Sequence, residues 1–391
     1  MKVEIFSAAE LAAIHAYHRP FYLDAALHDP VTLALLVLVC RFAVRPLHRL
    51  SERFAAGLFT RLGNPRVRML ERLWGGSGWG TAVIFSVLFT LLLVALGLPE
   101  TLYINYVLPH REGLSVISPA RFSWNFLEGL VLELVLMACL ALGLFGLIRR
   151  VSRWWLLLGL GAGALVLVSA ALDPYQNRRV FTQAPLPPGP LQGRITALMA
   201  DAHVDFGKIV VEARASSTHA VDAYFAGQGP TRTIVLTDTL IDRMSTDEVL
   251  AVVAHEAGHL GEARWRGRLA AALALLVIFY GLNRVFLLFA RRGWMGVRDA
   301  ADIRLLPLIT LGFFVVEVVA APLANAATRQ RELDADRYAV SLTRHPERFT
   351  SMLTKLARIN RLDPSPPRWV VLLDSSHPSI DERIAAISPG L

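Results

Sequence analysis

The chain has 391 residues, of which 54% are apolar and 18% charged, with a mean hydropathy of +0.45. So apolar a composition excludes a disordered chain and argues against an all-soluble protein. The net charge of +8 does not signal nucleic-acid binding, because much of the excess is arginine beside apolar runs, where membrane topology or lipid headgroups account for it.

Residues 1–30 contain Glu4, Glu10, His15, His18, Arg19 and Asp24 and no continuous apolar stretch. They read as an amphipathic N-terminal segment without a cleavable signal peptide, which leaves membrane insertion to internal segments. Val31 to Val44 is a short first span, with Arg41 reaching an interface by snorkelling. Thr81 to Leu98, Leu127 to Ile148, Trp155 to Leu172 and Leu269 to Ala290 each approach the roughly twenty residues that a hydrocarbon core requires. Leu305 to Leu323 reads as a span despite Pro307, Glu317 and Pro322. Residues 31–172 are thus N-terminal membrane helices and 269–323 a transmembrane hairpin. Glu133 and Glu317 are expected to face protein or a polar chamber, and Glu128 and Arg284 to reach headgroups. Cys40 and Cys139, both within apolar runs, provide no disulfide framework.

Two polar stretches, 173–268 and 324–391, are together long enough for one compact domain split by the hairpin. Within the first, Ala184 to Pro190 reads as a linker and Leu191 to His203 as a helix. Lys208 to Arg214, Ala220 to Phe225 and Thr231 to Thr237 read as strands between Ser, Gly and Pro turns. Ser245 and Glu248 then form the signature of a helix start, followed by an apolar periodic run.

That helix carries His255, Glu256 and His259. Residues four apart share a helix face, so both imidazoles reach one zinc ion while Glu256 stands beside its open position. A catalytic zinc takes a third protein ligand. Asn325, Thr328, Arg329, Glu332 and Asp336 recur along one face of a helix after the last span, and Glu332 is the expected ligand. Asp336, one turn on, is placed to fix the tautomer of a ligating imidazole, and Arg329 to pair with either carboxylate. A solvated, salt-bridged face is the other reading of this helix. His203 and His219 have no partner spacing and are taken as structural.

With these motifs the chain resembles the integral-membrane zinc metalloproteases that include the type I CaaX prenyl proteases and the bacterial HtpX proteases. The resemblance rests on HEAGH at His255 to His259, TRQRELDAD from Thr328 to Asp336 and SHPSIDERI from Ser376 to Ile384. VDAYFAGQGPTRTIVLTDTLI from Val221 to Ile241 and YVLPHREGLS from Tyr106 to Ser115 extend it, the latter toward the CaaX branch. With the six or so spans read above, it implies a mostly α, polytopic helical membrane protein with a small α+β zinc-metalloprotease domain. It further implies one Zn2+ per chain on His255, His259 and Glu332, with Glu256 as general base and His377 as a second catalytic group at the oxyanion. Arg383 matches a family arginine and is expected at the substrate, as is the strand around Ala223, along which an extended peptide would add. Asp222 stands where the CaaX branch usually has asparagine, which bears on preference for charged peptides. CaaX proteases enclose a chamber with seven spans, the first of which this chain lacks.

The implied partners are membrane-associated protein or peptide substrates and the lipid bilayer, with no nucleic acid. Oligomeric state is not legible. An HtpX-like quality-control protease is the alternative enzyme, and a non-catalytic scaffold with a structural zinc the alternative class. Sidedness departs from family precedent, which is cytosolic. The loop from Arg45 to Gly80 holds seven arginines against Glu52 and Glu71, the turn after Ile148 holds Arg149, Arg150 and Arg153, and the loop before Leu305 holds Arg291, Arg292, Arg298 and Arg304. The positive-inside rule puts these three in the cytoplasm and the zinc domain outside it, in a bacterial inner membrane.

Overall fold

The computed structural model describes residues 6–59, 78–176, 182–216, 218–227, 231–261, 264–297 and 299–387. Helix α1 (Ala8–Leu38) starts at a capping box in which Ser7 and Glu10 satisfy each other's backbone N–H groups. It passes Pro20 and Pro30 unbroken and continues through a π turn at Val39–Ala43 into α2 (Val44–Phe59). The boundary expected at residue 30 therefore falls inside a helix. A proline's fixed φ suits a helix, and the single hydrogen bond it removes is tolerated where neighbouring groups compensate. Phe6 and Ile14 are buried in the core of the polar domain, so this helix joins that domain to the membrane bundle.

The helices α3 (Trp79–Leu102), α4 (Pro119–Arg150) and α5 (Trp154–Gln176) follow. The polar domain then contributes β1 (Gln183–Pro185), α6 (Pro190–Asp201), β2 (Lys208–Glu212), β3 (Ala223–Ala226), β4 (Thr233–Thr237) and α7 (Thr246–Gly258). A hairpin of α8 (Arg264–Arg292) and α9 (Leu306–Thr343) returns to the bundle. The chain ends on α10 (Pro346–Asn360), α11 (Arg368–Leu373) and α12 (Ile380–Ile387). Among the described residues five helices are long and apolar enough to cross a membrane, and α5 is a further apolar helix.

The bundle packs through small residues where lipid offers no hydrophobic drive. A Cβ on Gly159 of α5 would stand 2.7 Å from Leu276 of α8, and one on Gly163 3.2 Å from Ala272. A second core of Phe85, Phe89, Phe145, Trp154, Phe286 and Leu305 fills the bundle end away from the polar domain. The same end gathers the basic loops. Gly296 adjoins both Arg304 and Arg45, and Arg149 lies in the field of Asp299 and Asp302. Arg61, Arg66, Arg68, Arg72 and Arg298 lie outside the described residues. Glu133 and Glu317 are exposed on their helices and not packed among other side chains.

The sheet runs β1-β2-β4-β3, with β2 and β4 parallel and the outer pairs antiparallel. The three expected strands form. The stretch read as a linker also contributes, because Gln183–Pro185 pairs with Val210–Glu212 as an edge strand. An edge suits Pro185, which has no N–H to give a second neighbour. On the opposite edge, among the described residues, β3 has one unpaired side.

Candidate active site

Two helices carry most of the site. In α7 the Ser245 hydroxyl accepts from Glu248 N, and Glu248 accepts from Ser245 N at 2.8 Å; Ser351 and Lys355 of α10 also donate to Glu248 and seat the helix start. At its other end a Cβ on Gly258 would meet Ala335 Cα at 2.8 Å. Only glycine lets α7 and α9 approach so closely, and that approach sets two histidines against Glu332.

His255 Nε2 and His259 Nε2 are 3.2 Å apart; Glu332 Oε2 is 3.5 Å from the first and Oε1 is 3.3 Å from the second. A tetrahedral zinc with bonds of about 2.1 Å holds its ligand atoms about 3.4 Å apart, so two imidazoles and a carboxylate in this arrangement fit such an ion. On the far edge of the His255 ring, Nδ1 is 2.8 Å from Asp336 Oδ1. Donation there fixes the tautomer that leaves Nε2 its lone pair. Asp336 is fully buried and accepts both arms of Arg383, Nε at 2.8 Å and Nη2 at 2.6 Å. Burial disfavours the His255 imidazolium, but hydrogen bonds to Asp336 and Glu332 outweigh it and push the ring up to about 9. Burial pushes the Glu256 carboxyl above its usual range, with His255 and His259 pulling the other way.

The face expected on α9 is thus present, but Arg329 does not take the place foreseen for it. Its Nη1 donates to the Ser375 carbonyl at 2.7 Å, and Asn325 donates to the Asp374 carbonyl. Both side chains hold the segment that leads to His377, whose Nδ1 stands 3.0 Å from Glu332 Oε2. The carboxylate pairing expected of Arg329 is made by Arg383. Arg383, expected at the substrate, is only 7% exposed; its Nε and Nη2 both donate to Asp336, and Nη2 also stands 3.4 Å from His255 Nδ1.

A cavity of about 670 Å³ opens over this centre and includes Asp222, Ala223, His255, Glu256, Glu332 and His377 in its wall. Asp222 is held from behind, its N–H donating to Thr237 Oγ1 and its carboxylate 3.3 Å from Arg214. The opposite wall was not foreseen. Tyr17, His18, Phe21 and Tyr22 of α1 line it, with Tyr22 donating to Asp363. Their spacing along one helix face was the available signal, obscured by Arg19 and Pro20 between the aromatic residues.

A membrane bundle bearing a small α+β domain, with two histidines and a glutamate converging beside a half-buried second glutamate, defines a membrane-embedded metalloprotease. The profile of peptidase family M48 matches residues 185–389, and that of the CAAX prenyl protease N-terminal region, five membrane helices, matches residues 28–180; the chain belongs to peptidase family M48. It is 26% identical over 310 residues to the uncharacterized metalloprotease YhfN of Bacillus subtilis, covering 78% of this chain and 72% of that one. It is 25% identical over 311 residues to the CAAX prenyl protease 1 homolog of Oryza sativa subsp. japonica, covering 74% and 69%. The fold is similar to the crystal structure of S. mikatae Ste24p, with a TM-score of 0.76 at 19% identity over 98% of this chain and 89% of that one.

Proposed function

We propose that this metalloprotease is a zinc-dependent endopeptidase that hydrolyses peptide bonds of membrane-associated proteins or peptides, with one zinc per chain on His255, His259 and Glu332. The carrying observation is the convergence of three ligand atoms, all within 4.8 Å of one another, beside Glu256 in the wall of an open cavity. When bound, zinc supplies a Lewis acid that lets water ionise near neutral pH and polarises a peptide carbonyl. Glu256 takes the proton from the attacking water and returns it to the departing amine nitrogen. His377, in the same cavity wall, is assigned the hydrogen bond to the oxyanion that develops on the carbonyl oxygen. An extended peptide adds along the open side of β3 at Ala223, held by backbone hydrogen bonds. Asp336 and Arg383 position His255.

The membrane association of the substrate follows from the helices. α9 runs from the bundle to Glu332 without a break, so the site stands at the membrane surface. The relatives named CAAX prenyl protease 1 homologs give a precedent for prenylated CaaX substrates. Purified chain is expected to contain about one zinc, to lose peptidase activity to a chelator and to regain it with added zinc. Activity that survives complete removal of zinc would overturn the reading.

We further propose a bacterial inner-membrane location with the zinc domain on the extracytoplasmic side. The arginine bias supports it, as does the gathering of Arg45, Arg149 and Arg304 at the bundle end away from that domain. Alkaline phosphatase fused after Leu391 should be active in a bacterial host. A fluorescent protein that glows strongly at that position, with the phosphatase fusion inactive, would reverse the orientation.

A further inference from the structure

The chain as a whole is positive by 8, yet its active-site cavity has the opposite sign. Five carboxylates line it, those of Asp222, Glu256, Glu332, Asp363 and Asp374, against the single guanidinium of Arg383. That guanidinium is already engaged by Asp336 in a bidentate pair. A divalent ion on His255, His259 and Glu332 offsets two negative charges, and the wall remains negative.

The remaining carboxylates differ in what they can offer a substrate. Asp363 is nearly buried and accepts from Tyr22 and from Ser365 N. Asp222 and Asp374 are exposed to the cavity from different walls, Asp222 just before β3 and Asp374 just after α11, three residues ahead of His377. Asp222 has a cation beside it, but Arg214 is shared. Its Nε is 2.7 Å from Glu212, a carboxylate with no exposure, and its Nη1 is 3.3 Å from Asp222. One guanidinium between two carboxylates leaves a negative charge at the cavity rim.

Beyond the other wall the charge is mixed, since Arg19 and Arg111 line one recess with Asp24 and Glu100. Asp374 is close enough to act electrostatically on Asp24 of α1, as is Glu100 of α3, whose carboxylate is 2.8 Å from His28 Nδ1. Apolar walls strengthen the negative sign inside the cavity, since Tyr17, Phe21, Leu362 and Val370 line it and a cleft of one sign in low-dielectric surroundings focuses its field.

We propose that this cavity selects cationic peptides, with lysine or arginine flanking the scissile bond and read by Asp222 on the β3 side and Asp374 on the His377 side. The proposal deepens the endopeptidase reading and rests on it for the term scissile, while the charge recognition itself is a binding property that is measured apart from turnover.

The test uses zinc-loaded, full-length Glu256→Gln in detergent and fluorescent peptides of one length and apolar background, each with Lys, Gln or Glu at successive positions. Lys peptides should bind at least ~10-fold more tightly than their Glu counterparts at low salt, with the gap narrowing as ionic strength rises. Asp222→Asn and Asp374→Asn should each reduce the Lys-to-Glu ratio, and the double variant should bring it near unity. Both are isosteric changes at exposed side chains, and unchanged zinc content and melting temperature check their folding. Should one misfold, the other variant and the salt dependence still decide. Equal binding of Lys and Glu peptides overturns the proposal, and so does a preference that survives the double variant. Wild-type hydrolysis separates the two readings. Cleavage of all peptides without charge discrimination leaves the endopeptidase and defeats the inference; selective binding of Lys peptides that wild type never cleaves sustains the charge recognition and defeats the endopeptidase.

Discussion

Glu256→Gln is expected to lower kcat by about 10²- to 10⁴-fold, the usual range for removing a general base, while the zinc content stays at that of wild type. The amide preserves the shape of the carboxylate and removes its capacity to accept a proton. None of the three ligand atoms that converge at the site belongs to Glu256. Glu332→Ala is expected to behave in the opposite order, with the metal lost first and activity lost as a consequence. Asp336 does not replace it, because that carboxylate meets His255 at Nδ1, on the ring edge turned away from Glu332. Zinc analysis of both purified variants beside a peptidase assay separates the roles. Full activity in Glu256→Gln would remove it as the base, and full zinc occupancy in Glu332→Ala would move the third ligand elsewhere.

What the sequence revealed of this site follows the range over which its constraints act. His255 and His259 are one helical turn apart, and their common face is fixed by helix geometry alone. Glu332 and Asp336 show the same periodicity on α9, so the two helix faces could be read separately and then matched by chemistry. Arg383 was a different case. Its role comes from tertiary packing of α12 against α9, and no local period joins it to Asp336, 47 residues earlier. A charged residue after a His-Pro pair gave no sign of burial, and it was expected at the substrate. Arg329 was misplaced for a related reason. Helix spacing put it near two carboxylates, but the arrival of the 374–377 segment offered its guanidinium a carbonyl instead. Membrane spans were legible because hydrocarbon imposes a length and a composition, which a continuous helix from Ala8 does not respect at its polar end. The aromatic wall supplied by α1 becomes evident only when Phe6 and Ile14 are seen in the core of a domain that begins over 150 residues later in the chain.

Removal of Arg383 should have the second-largest effect, although its guanidinium meets Asp336 and the Nδ1 edge of His255 rather than the ligand atoms. Asp336 has no exposure to solvent and accepts from Arg383 twice and from His255 once. Arg383→Ala leaves that buried carboxylate with the His255 imidazole as its partner, and breaking a buried ion pair by deleting one member typically costs about 3–5 kcal/mol. Lysine does not restore the pair fully, since a single ammonium cannot reproduce two parallel N–H contacts. Asp336→Asn isolates the other half of the arrangement. Its amide oxygen still accepts from His255 Nδ1, so the tautomer survives, but the charge that stabilises the ring and anchors Arg383 is gone. Loss of such an outer partner usually lowers metal affinity about 10- to 100-fold. Zinc affinity by chelator competition and melting temperature, taken together, distinguish these effects. Arg383→Ala should lower both, Arg383→Lys should fall between it and wild type, and Asp336→Asn should weaken zinc binding while the remaining His255 contact limits the loss. If Arg383→Ala bound zinc and melted like wild type, the Asp336–Arg383 pair would have no part in positioning His255.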